Sequence, residues 1–184
     1  MVDLAIGIDI GGTRTKIGLV APSAQIVELQ TFPSNLQSND PAPFLEIASS
    51  VVSRFLGALP MKGIGIALCS LINDAHTGAL LAVNAPALNG LDLKTEFETR
   101  FNLPVQVIND VNAYALAEYR FGAGHGIDRL LCLGLGTGLT IAVIIKGNII
   151  ENWGGIAGDV ARIVLDPDAE VMCKGNVRGS AEAL

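Results

Sequence analysis

Residues 4–10, 14–20 and 25–32 form three short apolar or alternating runs, parted by a glycine pair at 11–12 and by "APSA". Alternation broken by turn residues predicts an antiparallel three-stranded meander. In "DPAPFLEIASSVVSRFLGAL" the period changes: Phe44, Ile47, Ala48, Val51, Val52 and Phe55 recur at helical spacing. A helix is expected there, with Asp40 as its N-cap and Gly57 and Pro60 ending it.

An apolar strand "KGIGIALCS" comes next, then a turn at "NDAHTG", a short strand "ALLAV" and a helix near "LKTEFETRF". The strand "LPVQVIND" runs directly into the helix "VNAYALAEYRFG". Three strands, helix, strand, helix, strand, helix makes a mixed α/β layer. The loop "GAGHGID" at 122–128 is the natural boundary, giving one unit over 1–122 and a second over 123–184.

Past that boundary the pattern restarts, with "RLLCLGLG" at 129–136, "LTIAVIIK" at 139–146 and "NIIEN" at 148–152. Two similar meanders, each opening with a strand that ends in a glycine turn, point to a duplicated fold with a cleft between halves. Residues 154–184 are glycine-rich and irregular, and only "GSAEAL" has the makings of a helix start. The second meander therefore lacks helices for its apolar face, which makes that face a reason to associate, as in a homodimer. The expectation is a fragment of a longer protein, or a chain whose missing half is replaced by a partner.

Composition narrows the function classes. Half of the 184 residues are hydrophobic and 16% are charged, which is globular, and a formal charge of −6 gives no broad basic field. Nucleic acid and anionic membranes are therefore not expected as partners. "MVDLAIGIDI" has no basic leader and enters a core strand at once, so a cytoplasmic protein is expected. Cys69, Cys132 and Cys173 read as buried thiols, not as a disulfide framework.

The chemistry lies in the turns. In "DIGGTRTK" a strand ends at Asp9, Gly11 and Gly12 allow a tight turn with exposed N–H groups, and Thr13 and Lys16 are donors beside it. That suits phosphate, although neither the dinucleotide fingerprint nor a Walker run is present. Asp9 would act through a magnesium ion and its waters, because a bare carboxylate repels phosphate. "GLGTGLT" places Gly136, Thr137 and Gly138 at the equivalent turn of the second meander. The competing reading of both turns is a plain hairpin closed by glycines.

"VQVINDVNAYALAE" sets Asn109 and Asp110 between a buried strand and a helix. An aspartate there is ordinarily an N-cap. It also stands at a strand end, where α/β sheets bind ligands, and could take the proton of an attacking hydroxyl while Asn109 binds a neighbouring hydroxyl.

With these motifs the chain resembles the ROK family (repressors, uncharacterised reading frames and sugar kinases) of the actin-like, hexokinase-like ATPase superfamily. The resemblance rests on "GIDIGGTRTKIGLV", "PVQVINDVNAYALAE", "LGLGTGLTIAVIIKGNI" and "GGIAGDV", in that order over nearly the whole chain. It implies an α/β ribonuclease-H-like domain, with an antiparallel meander, parallel strands and helices, followed by the first part of a similar domain. It also implies ATP-dependent phosphorylation of a hexose or amino-sugar hydroxyl, as in glucokinases and N-acetylhexosamine kinases. By position, Asp110 is the catalytic base, Asn109 a sugar ligand, Asp9, Gly11, Gly12, Thr13 and Lys16 the first phosphate loop, and Gly136, Thr137 and Gly138 the second.

The chain departs from the family in places. "AGDVAR" puts Asp159 where the family has a glutamate and Arg162 where it has a sugar-binding histidine. Arg162 either contacts a charged sugar derivative or pairs on the surface with Asp159 or Asp166. Downstream, Gly175, Gly179 and the sugar-contacting Glu182 are kept, but Cys173 is the one expected thiol retained, so no structural zinc is expected. Ser70 and Leu71 replace a proline-glycine-proline turn, and Ala87 replaces an asparagine. This drift keeps open an alternative: a weak or inactive relative that binds sugar as a sensor or regulator. An actin-like structural or chaperone ATPase shares the phosphate turns but has no need of Asn109 and Asp110.

Overall fold

The first meander forms as β1 (Leu4–Ile10), β2 (Arg14–Val20) and β3 (Ile26–Pro33) in a computed structural model that describes residues 3–57, 61–135, 138–173 and 176–183. Alternation turns Ile6, Ile8 and Ile10 of β1 and Ile17 and Leu19 of β2 into the core. β4 (Met61–Leu68) pairs parallel to β1, and β7 (Val105–Asn109) parallel to β4, giving the order β3-β2-β1-β4-β7.

Helix α1 (Ala42–Leu56) lays Phe44, Ala48, Val52 and Phe55 on this core, joined by Leu93 and Phe97 of α2 (Leu93–Phe101). Each of the three buried phenylalanines contributes about 1.5–3 kcal/mol by leaving water. Ile47, expected on the inward stripe, is 39% exposed, because the stripe runs at steps of four and three through 44, 48, 52 and 55. Pro41 occupies the N-cap position, and the Asp40 carboxylate accepts from the Ala42 N–H at 2.9 Å from just outside it.

Between β4 and α2 the chain makes a small hairpin of β5 (Leu71–Ile72) and β6 (Ala79–Leu81). The "ALLAV" run is shortened to three strand residues, and its partner Leu71–Ile72 carries no periodic signal. The turn between them is set by Asn73, whose side chain exchanges hydrogen bonds with Thr77 (2.9 and 3.1 Å).

Helix α3 (Asp110–Phe121) follows β7 without a break and packs against a second sheet, order β10-β9-β8. That sheet is β8 (Arg129–Leu135), β9 (Leu139–Ile145) and β10 (Asn148–Ile149). Ala115 of α3 meets Ala142 and Ile144 in a separate apolar cluster with Leu130 and Cys132. Lys146 and Gly147, both at positive φ (50° and 81°), make the tight turn into β10. On the other face Leu131, Leu133 and Leu135 stand 64%, 52% and 79% exposed.

Beyond β10, the described residues 150–173 and 176–183 are held by turns, a 3₁₀ turn at Trp153–Gly155 and two isolated bridges, Val164 with Ser180 and Met172 with Arg178. The expected helix start at "GSAEAL" is a turn. The Ala181 and Glu182 N–H groups bond to the Ile163 and Ala161 carbonyls (2.8 and 3.1 Å) instead of to carbonyls one turn back. Cys173 is buried, Cys69 and Cys132 are partly so, and none is in a disulfide.

Candidate active site

The β1–β2 register sets Asp9 directly opposite Lys16, and the lysine Nζ lies 3.3 Å from Asp9 Oδ2. Both side chains are about half exposed, so the pair is worth at most about 1 kcal/mol and Lys16 can leave it for another anion at little cost. The Gly11 N–H donates to the Arg14 carbonyl at 3.1 Å and closes the turn. Neither Gly11 nor Gly12 has positive φ. Gly12 is needed for proximity instead: a Cβ there would lie 2.8 Å from the Asn84 carbonyl oxygen and 2.9 Å from its Cβ. Thr13 is exposed at the tip.

Ser34 anchors this turn, a role that sequence reading misses because the residue follows β3 in what reads as loop. Its buried hydroxyl donates to the Gly11 carbonyl at 2.7 Å and lies 2.9 Å from Thr15 Oγ1, while its N–H donates to the Thr13 carbonyl at 3.0 Å. The turn is thereby fixed before any ligand arrives.

Asn109, not Asp110, is the N-cap of α3. Its Oδ1 accepts from the N–H groups of Val111 (3.0 Å) and Asn112 (3.3 Å), and its Nδ2 donates to the Ser70 carbonyl at 3.1 Å. Asp110 is left as the first helical residue. Burial raises its pKa, and the Asp9 charge adds to this, against a hydrogen bond from the Val111 N–H (2.9 Å) that lowers it. The two carboxylates thus feel one another. A carboxyl with a raised pKa is a better proton acceptor than a free one.

Cys69, at the end of β4, sits in the same place. Its thiol is pushed up by burial and then by Asp110, with Asp9 adding, and it rests against the Gly12 N–H and the Asn84 side chain. A cavity of about 390 Å³ opens beside Asp9 and Lys16, floored by Gly7, Gly18 and Gly65. These three glycines lie side by side in register across β2, β1 and β4.

Of the second turn, Gly136 and Thr137 lie outside the described residues. Gly138 is packed against Glu182, whose Oε2 would be 2.8 Å from a Cβ there and accepts from the Leu139 N–H at 3.3 Å. Glu182 therefore lies at the β8–β9 turn. Arg162 Nη1 lies 3.4 Å from Asp159 Oδ2, with both side chains largely exposed. Asp159 also accepts from the Ala161 N–H at 3.1 Å. Ala87 is buried. Among the described residues, no three His, Cys, Asp or Glu side chains gather as a set of metal ligands.

The fold agrees with comparisons to known proteins. The ROK family model matches residues 5–184. The chain is 30% identical to a glucokinase of Halalkalibacterium halodurans over 183 residues, 97% of this chain and 55% of that one. It is 27% identical to an N-acetyl-D-glucosamine kinase of Aliivibrio salmonicida over 164 residues, 89% of this chain and 53% of that one. A crystal structure of a ROK family glucokinase from Streptomyces griseus in complex with glucose and AMPPNP superposes with a TM-score of 0.80 at 31% identity, covering 97% of this chain and 56% of that one. The chain thus spans about half the length of the relatives it matches, with the mixed α/β fold of ROK actin-like ATPases. With a family match over nearly its whole length and the fold to go with it, this chain belongs to the ROK family.

Proposed function

We propose that the protein to which this chain belongs transfers the γ-phosphoryl group of ATP to a hydroxyl of a hexose or amino sugar. The observation that carries this is Asp110: a carboxyl with a raised pKa, at the start of a helix whose cap is Asn109, within electrostatic reach of Asp9 beside a rigid glycine turn. On this reading Asp110 takes the proton of the acceptor hydroxyl as its oxygen attacks the γ-phosphorus, and ADP leaves. Asn109 has one Nδ2 hydrogen to spare for a neighbouring hydroxyl. Lys16 leaves Asp9 for phosphate beside Gly11, Gly12 and Thr13, and Gly136, Thr137 and Gly138 are assigned to the second phosphate loop on the family resemblance.

The half-exposed Asp9 suits a hydrated magnesium ion, a hard cation that keeps several waters and neutralises phosphate charge. Asp159, Arg162 and Glu182 are assigned to the sugar side on the family resemblance, Glu182 from its seat at the β8–β9 turn, and no zinc is assigned. We divide the protein at 122/123, although α3 lays Val111, Ala115 and Leu116 on the cluster of the second sheet, and place it in the cytoplasm, without a nucleic-acid partner. The exposed Leu131, Leu133 and Leu135 support a homodimer.

The test is ADP release with MgATP across hexoses, N-acetylhexosamines and acidic sugars. Sugar-dependent release supports the kinase. Release that ignores sugar refutes it. The second reading, a sugar-binding sensor, is favoured by the Arg162–Asp159 pair at the drifted position. It predicts sugar binding by calorimetry with no ADP release.

A further inference from the structure

Asn112 is completely buried one turn into α3, and its Nδ2 donates to Glu151 Oε1 at 3.0 Å and to the Gly155 carbonyl at 2.8 Å. The other carboxylate oxygen of Glu151 lies 3.4 Å from Nε2 of His76. His76 sits at φ 52° in the turn of the β5–β6 hairpin. That hairpin begins beside Ser70, whose carbonyl receives Asn109 Nδ2.

The contacts therefore close a ring: Asn109 to Ser70, along the hairpin to His76, across to Glu151, on to Asn112, and back through α3 to Asn109. Gly154 and Gly155 press the same segment on the hairpin, since a Cβ on either would lie 3.0 Å from the side chains of Leu71 and Ile72. Both have positive φ (77° and 67°), so this close seat is reserved for glycine. The segment then runs on to Asp159 and Arg162.

We propose that Glu151 is a positioning residue that holds the Asn109–Asp110 corner in register with the hairpin and with the 156–162 segment; its catalytic consequence rests on the kinase reading. It is the one member of the ring whose two oxygens serve different elements. A carboxylate suits the place because one oxygen accepts from the Asn112 amide while the other faces the His76 ring nitrogen at 3.4 Å. Glutamine keeps the first contact but gives up the negative charge facing His76, so Glu151→Gln weakens one arm of the ring and Glu151→Ala opens both.

The test follows the full chain by hydrogen–deuterium exchange and by sugar phosphorylation. In Glu151→Ala, peptides covering 109–113 and 153–158 are expected to exchange at least about tenfold faster, with α1 and α2 unchanged and Glu151→Gln between it and wild type. In the kinase assay kcat is expected to fall about tenfold or more while the KM for ATP stays within about twofold, again with Gln intermediate. Unchanged exchange at 109–113, or an equal rise in α1 and α2, overturns the proposal, and so does an unaltered kcat in an active protein. If exchange changes as expected but the full-length protein that carries this chain phosphorylates no sugar, the kinase reading fails and the ring stands. Should Glu151→Ala not fold, Glu151→Gln carries the same comparison.

Discussion

Replacing Asn109 by alanine removes two separable things. The cap of α3 is lost, leaving the Asn112 N–H without its Oδ1 acceptor and the Val111 N–H with Asp110 Oδ1 alone, at a cost of about 1 kcal/mol. The Nδ2 bond to the Ser70 carbonyl is lost as well, at about another 1 kcal/mol. The sum is about 2 kcal/mol, which in a domain of this size lowers Tm by about 4–8 °C. Serine separates the two, because its hydroxyl still caps a helix but cannot reach across as the amide does. Asn109→Ser is therefore expected to lose about half as much. The assay is denaturant unfolding of wild type, Asn109→Ser and Asn109→Ala side by side, with equal m-values required before the midpoints are compared. Equal losses for serine and alanine, or a loss below about 0.5 kcal/mol for alanine, would refute the reasoning that Asn109 is both cap and tie.

Three further outcomes are expected. Asp110→Asn should stabilise the chain at neutral pH: the folded-state pKa is raised, so the wild type loses stability as pH climbs from the unfolded value through the folded one. The gain should vanish well below the unfolded pKa, and thermal melts at both pH values check it. Gly12→Ala should cost about 1–3 kcal/mol through its clash with Asn84, and weaken ATP binding with it, as calorimetry would show. If the chain dimerises through β8 and β9, light scattering should give about twice 19.1 kDa, and Leu133→Lys should return the monomer.

What could be read in the sequence was whatever repeats at short range. Alternation in β1, β2 and β4 and the helical spacing of Phe44, Ala48, Val52 and Phe55 mark the main core, and "LKTEFETRF" matches α2 residue for residue. β5 was hidden because a two-residue strand has no period to detect. Asp110 and Asn109 could not be told apart as cap, since either side chain qualifies and the choice depends on backbone angles: Asn109 is extended at ψ 144°. Ser34, Cys69, Asn84, Glu151 and His76 were invisible for a different reason. Each gains its role from a neighbour far along the chain, as Ser34 does from Gly11 and Glu151 from Asn112 and His76. The sequence suggests turn flexibility for Gly12, whereas the structure needs it for close packing against Asn84.

The most direct test of Asp110 as the base compares sugar binding and phosphoryl transfer in wild type and Asp110→Asn. The account predicts that the variant binds sugar within a fewfold of wild type by calorimetry, because Asn109 and the cap are untouched, while ADP release falls by about 10²–10⁴-fold. ADP release within a fewfold of wild type would contradict it.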